Sequence, residues 1–269
     1  MTTLITVESL GLPTQKSEID NRWCVQKIGM IGAGGVGKSE FWAQGDKTLF
    51  IQTEAGLNHL KCMKMVARSW DDVRNIVSKL IQADNAKVYP YDTLVIDTID
   101  EFIELANQEI IKLVREKFPK SADKINTLFD YPASSDAGNP SWTQRMNLVM
   151  NALKKIADLP SALVFIGHLG SKEIKTATEK TNKDTITIGG QLGASLIHWT
   201  DHFLNIQTEQ KGDVKKRIVR TIPTQFVEAK SRDCRIKDGW EWVNPKSMTL
   251  EERTISAQTN YKAMRSLFN

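Results

Sequence analysis

Residues 27–39 read KIGMIGAGGVGKS. The first five are a short apolar run suited to a buried strand, and the last eight, GAGGVGKS, satisfy G-x-x-x-x-G-K-[ST] at every fixed position. Residues 40–43 (EFWA) then begin a helix-like run. Strand, glycine-rich loop and helix in immediate succession form the setting in which this pattern cradles phosphate. The glycines let the backbone curl until successive N–H groups converge on one anion, and the start of the helix adds partial positive charge. Gly32, Gly34, Gly35, Val36, Gly37, Lys38, Ser39 and Glu40 are therefore the candidate nucleotide-binding residues. Lys38 is expected to reach the β- and γ-phosphates of ATP, and the Ser39 hydroxyl to sit on Mg2+.

Around this loop the chain has the size and composition of one α/β domain. Its 269 residues are 41% hydrophobic and 25% charged, ordinary values for a globular protein that buries one substantial core. No apolar run approaches the length of a membrane span, and the first twenty residues lack a basic start followed by an apolar stretch. Cys24, Cys62 and Cys234 are scattered without a C-x-x-C pair, which argues for reduced thiols in the cytoplasm. A net charge of +4 names no partner, but its placement is uneven. Residues 211–237 hold nine Lys or Arg against three acids. A lysine-protected edge hairpin and a phosphate-facing surface account for that excess equally well.

Residues 1–22 read as an irregular lead-in, with an assembly arm as one use for it, residues 23–243 as the core, and residues 244–269 as a tail with a short helix from Thr249. Within the core, residues 48–53 (TLFIQT) are a second strand. Residues 70–83 place Trp70, Val73, Ile76, Val77, Leu80 and Ile81 at helical spacing. Residues 91–98 (YDTLVIDT) form a continuous apolar run closing on Asp97, as a buried parallel strand does. Residues 99–118 and 142–159 are amphipathic helices, each stopped by a proline, and residues 161–168 (SALVFIGH) are another buried strand. Residues 119–141 are too long a loop to be idle in a compact domain. Residues 169–195 read as a flexible loop or mobile hairpin, and strands follow at 201–208, 217–223 and 225–230. The alternation predicts a mostly parallel central sheet flanked by helices, with a C-terminal antiparallel extension.

Strand ends after the loop supply the remaining chemistry. Asp97 occupies the place of the second Mg2+-organising residue. Glu54 follows the second strand at the edge where ligands bind, and a carboxylate there orients or deprotonates the attacking water. Asp100 and Glu101 compete for that task on position alone. His168 ends its strand beside the nucleotide, either sensing the γ-phosphate or bonded to local backbone. His198 and His202 lie four apart but lack a third ligand, so they are not read as a metal site.

Together GAGGVGKS, LFIQTEAGLNH, TLVIDTID, ALVFIGH and EAKSRD resemble the RecA-like P-loop ATPase family, over about residues 25–235. Among its members the chain is similar to short phage-encoded RecA-type ATPases that act in single-strand annealing or recombination. The resemblance implies ATP and Mg2+, Glu54 as the water-activating residue, and His168 in the place of the family's polar sensor, where RecA has glutamine. It also implies two DNA-binding loops, one within about residues 130–142 and one between His168 and Gly189. Lys172, Lys175, Lys180 and Lys183 then contact phosphates of single-stranded DNA, and Trp142 stacks on a base or packs in the core or at an interface. Lys230 and Arg232 match the paired cations that relatives insert into a neighbour's nucleotide site, which implies self-assembly into a ring or filament. A phage or host single-strand binding protein is a further implied partner, and the setting is the cytoplasm of a phage-infected bacterium. Related cores in helicases, loaders and packaging motors are the first alternative. A nucleotide kinase is the second, weakened because residues 119–141 contain no arginine for a lid.

Overall fold

The computed structural model describes residues 10, 13–132, 139–175, 180–211, 214–233, 235–245 and 249–268. The elements run β1 (Lys27–Gly32), α1 (Lys38–Trp42), β2 (Thr48–Gln52), β3 (Met63–Val66), α2 (Trp70–Asn85), β4 (Thr93–Asp97), α3 (Ile99–Lys117), α4 (Ser141–Ala157), β5 (Ala162–Lys175) and β6 (Lys180–Ile186). They continue through α5 (Gly190–Trp199), β7 (His202–Lys211), β8 (Val214–Arg220), β9 (Lys230–Ser231), β10 (Trp240–Pro245) and α6 (Leu250–Ser266).

The strands join in the order β10-β8-β7-β1-β5-β4-β2-β3, with β6 on β5 and β9 on β7. Pairings from β7 across to β3 are parallel, and β8, β10, β6 and β9 pair antiparallel. The expected mostly parallel sheet with an antiparallel C-terminal extension is therefore the observed one. The central strands β2 and β4 are buried along their whole length because helices cover both faces. One face packs on α2, α3, α4 and α5 through residues such as Trp70, Phe102, Leu153 and Leu196. The other packs on α1 and α6 through Phe41, Trp42, Tyr261 and Met264.

Local chemistry sets the helix starts. Ser69 accepts a hydrogen bond from Asp72 N, Thr98 from Glu101 N, and Thr249 forms a reciprocal capping box with Glu252. The tail expected to carry a short helix from Thr249 carries one of 17 residues. Its Ala257, Tyr261, Met264 and Phe268 are buried, each large side chain contributing about 1.5–3 kcal/mol. Residues 169–195 resolve into the β5–β6 hairpin and α5, and residues 225–230 contribute only Lys230 to a strand, plus a single bridge at Val227. The long loop after α3 folds back, burying Ile125 and Leu128 against Ile110 and Val114. Residues 133–138, inside the first expected DNA loop, and residues 1–9 of the expected arm lie outside the described residues. Among the described residues no helix is long and apolar enough to cross a membrane.

Candidate active site

The parallel strands all end at one edge of the sheet. Gly32 pairs with His168 of β5 and Ile206 of β7, and Asp97 of β4 pairs with Gln52 of β2 and Ile166 of β5. A loop leaving β1 here stands where β1 has neighbours running to either side, which is where ligands bind in open α/β sheets. Gly35 and Gly37 have φ of 70° and 92°, the left-handed region that a side chain makes costly, so the curl of the loop depends on glycine there.

Lys38 is 7% exposed, and its Nζ donates to Gly32 O at 2.7 Å and Ala33 O at 3.0 Å. Burial pushes its pKa down, opposed by the carboxylates of Asp97, Asp100 and Glu54. Asp97 is also 7% exposed and accepts a hydrogen bond from the Ser39 hydroxyl. Burial raises the pKa of its carboxyl; Ser39, Lys38 and His168 offset this, and Glu54 adds to it. A buried carboxylate beside a hydroxyl, costly to keep charged, fits a site for a hard divalent cation with oxygen ligands. Ser39 and Asp97 are the residues that would hold it. No cluster of three His, Cys, Asp or Glu offers another metal site among the described residues. His202 in particular is fully buried, with Nδ1 3.0 Å from Ser231 Oγ.

Glu54 stands next to Asp97 because the backbone N–H groups of Thr53 and Glu54 both donate to Asp97 O, at 2.9 and 3.3 Å. Its Oε2 accepts from Thr98 Oγ1 at 3.3 Å and lies 3.3 Å from His168 Nε2. Half of the Glu54 side chain remains exposed, so the carboxylate is open to a water. Asp100 is committed elsewhere: one oxygen accepts from His168 N at 3.0 Å and the other from Thr187 Oγ1. It ties both legs of the β5–β6 hairpin to the start of α3, which leaves Glu54 better placed to activate water. Sequence position could not separate these two acids, because Asp100's partners come from residues 68 and 87 positions away.

Outside this cluster the expected residues divide. Trp142, 37% exposed at the start of α4, packs edge-to-face on Phe129 with centroids 4.9 Å apart. The Arg145 guanidinium lies over the same indole at 4.6 Å. Trp142 and Arg145 line a cleft of about 460 Å3 whose far wall is Gly189–Leu192 at the start of α5. Lys172 is exposed on the hairpin, and Lys180 is exposed but 3.5 Å from Glu173. Lys183 does not project as expected, because it pairs with Glu228 at 2.9 Å and is 17% exposed. Lys175 pairs by backbone with Lys180, and its side chain lies outside the described residues.

Lys230 and Arg232 are not brought to this chain's phosphate loop. β9 pairs with the start of β7, at the opposite edge of the sheet. Lys230 Nζ donates to the carbonyls of Ile197, His198 and Thr200 at 3.1, 2.7 and 2.6 Å, closing the C-terminus of α5. Arg232 pairs with Asp201 at 3.1 Å and is 56% exposed. β9 ends at Ser231, so Arg232 lies outside the strand that holds Lys230.

The AAA domain family matches residues 25–233 of this chain. Among solved structures, the crystal structure of the RadB recombinase aligns over 86% of this chain and 89% of that chain, at 10% identity and a TM-score of 0.40. No curated protein matches.

Proposed function

This chain belongs to the AAA domain family, and from that premise we propose that it is a RecA-like P-loop ATPase that couples ATP hydrolysis to the gripping of single-stranded DNA. The observation that carries the proposal is the course of β5. The strand rises through the core, presents His168 to Glu54 at the phosphate edge, and continues unbroken into the hairpin that bears Lys172 and Lys180. A change at the γ-phosphate that moves Glu54 therefore acts on the root of the hairpin through His168.

In this reading Lys38 exchanges the carbonyls of Gly32 and Ala33 for the β- and γ-phosphates, and the loop N–H groups hold the chain of phosphates. Ser39 and Asp97 would hold magnesium, which would supply charge neutralisation on the phosphoryl oxygens. Glu54 accepts a hydrogen bond from the attacking water and takes its proton, while Thr98 and His168 fix the carboxylate. Catalysis of this kind is mostly positioning and electrostatics. On the DNA side, the Trp142–Phe129 pair offers a stacking platform, with Arg145, Lys172 and Lys180 supplying cations. The process we assign is single-strand annealing or recombination, on the resemblance of the motifs to phage-encoded relatives.

Steady-state ATP hydrolysis with and without oligo-dT tests this. Single-stranded DNA should stimulate turnover several-fold in a salt-sensitive way. Trp142→Ala should weaken binding of the oligonucleotide by about 1–3 kcal/mol and leave basal turnover intact. Turnover indifferent to DNA, but accelerated by a nucleoside acceptor, would replace the proposal with a phosphotransferase.

A further inference from the structure

The basic stretch of residues 211–237 contains one member that the site described so far does not use. Arg217 lies on β8 and is only 6% exposed. Its side chain shares a sheet face with Val219, and so reaches toward α1 and α6. Its Cζ and Nη2 stand 3.3 Å from the point where a Cβ on Gly37 would be. Gly37 is the residue that immediately precedes Lys38, so the guanidinium roofs the phosphate loop at its last glycine. Glu40 Oε2 lies 3.3 Å from the same point and is also paired with Arg253 of α6 at 3.1 Å. The Glu40 carboxylate thus pairs with Arg253 and also acts electrostatically on Arg217 beside the loop. Burial lowers the pKa of Arg217, Glu40 raises it and Arg253 lowers it further.

The order of strands says which end of a nucleotide this arginine meets. Asp97 on β4 and Glu54 after β2 lie to one side of β1, and Arg217 on β8 lies to the other. With the γ-phosphate at Glu54, the phosphate chain crosses the mouth of β1, and its nucleoside end comes to β7 and β8. We propose that Arg217 is a nucleotide-contacting residue supplied in cis, donating to the α-phosphate side of the bound nucleotide. The proposal rests on GAGGVGKS being the nucleotide site. A planar guanidinium suits the task, because it presents parallel donors to phosphate oxygens.

The test is titration of the full chain with fluorescent ADP and ATP analogues. Arg217→Met should weaken both by a similar factor of about 10–100, the range for a hydrogen bond to a charged group. Arg217→Lys, which keeps the buried charge, should still lose about threefold or more, since a point charge does not replace the fork. The double variant Glu40→Gln/Arg217→Met separates contact from mere neutralisation of Glu40. Affinity that stays low supports the contact, and affinity restored to that of the unaltered chain overturns it. Loss confined to ATP would move Arg217 to the γ-phosphate and overturn the assignment, as would unchanged affinity for both nucleotides. Lys38→Ala tests the loop itself: undiminished binding there would remove the nucleotide site and not the reading of Arg217 alone.

Discussion

Lys38 and Lys230 are chemically alike and do different things. Burial depresses the pKa of both, and each spends its ammonium on backbone carbonyls. The carbonyls Lys38 holds belong to the glycine loop, and three carboxylates, of Asp97, Asp100 and Glu54, act on it. The carbonyls Lys230 holds are those left open by the last turn of α5, with a third bond to Thr200 O just beyond it. Lys38 gives up two bonds on a loop that phosphate can replace. Lys230 would give up three, which Thr200 Oγ1 on Ile197 O at 2.9 Å and Arg232 on His198 O at 3.5 Å replace only in part. The contrast teaches that a lysine's role follows from which carbonyls it satisfies, and a K-x-R spacing does not carry that information.

The comparison breaks most sharply at Lys38. Lys38→Ala should reduce ATP turnover by at least about 100-fold, as loss of a preorganised charge at a reacting phosphate does. It should leave the unfolding midpoint in urea almost unchanged, since the two loop carbonyls it frees can face water. Retained turnover would show that the loop's lysine is as structural as Lys230.

How far the sequence disclosed this site depends on where each residue's partners lie. Lys38, Ser39, Asp97, Glu54 and His168 each close or follow an apolar strand, and parallel strands end at a common edge, so local reading assembles them. Arg217 and Asp100 were not legible. Their meaning lies in Gly37, Glu40, His168 and Thr187, all distant in sequence. The same limit applies to the fold. β3 is a short edge strand with exposed Met63 and Val66, and it has no buried face to reveal a period. α5 begins among glycines that suggest a loop, yet Gly193 is small because Ile188 O packs where its Cβ would be, at 2.0 Å. The start of α6 at Thr249 is legible, but its length and its packing are not, because the helix is polar over most of its length and its buried positions Ala257, Tyr261 and Met264 are few.

A smaller effect belongs to Lys230. Lys230→Met keeps the aliphatic stem and removes all three donors. It should cost about 1–3 kcal/mol in urea unfolding, because three carbonyls at the end of α5 each lose a charged donor. ATP affinity should not change. The reverse pattern, full stability with lost turnover, would restore Lys230 to the shared nucleotide site that the resemblance implies.

The smallest effect on stability, and the finest test of the contrast, is at Arg232. Its side chain is 56% exposed in the ion pair with the mostly buried Asp201, so Arg232→Ala should change stability by about 1 kcal/mol or less. Asp201 keeps a second partner in Lys27 at 2.7 Å, which further limits the loss. Of the two basic residues, Arg232 is therefore the one free to leave its place at little cost, and the proposal of a cation acting in trans narrows to it alone. Arg232→Ala subunits mixed with Lys38→Ala subunits decide the matter. A mixture of the two inactive variants contains interfaces with an intact loop on one side and an intact Arg232 on the other, and turnover should return at those interfaces. No recovery across mixing ratios, with co-assembly verified by size-exclusion chromatography, would leave Arg232 with the role of its neighbour Lys230: a cation that holds the end of α5 and the start of β7 together.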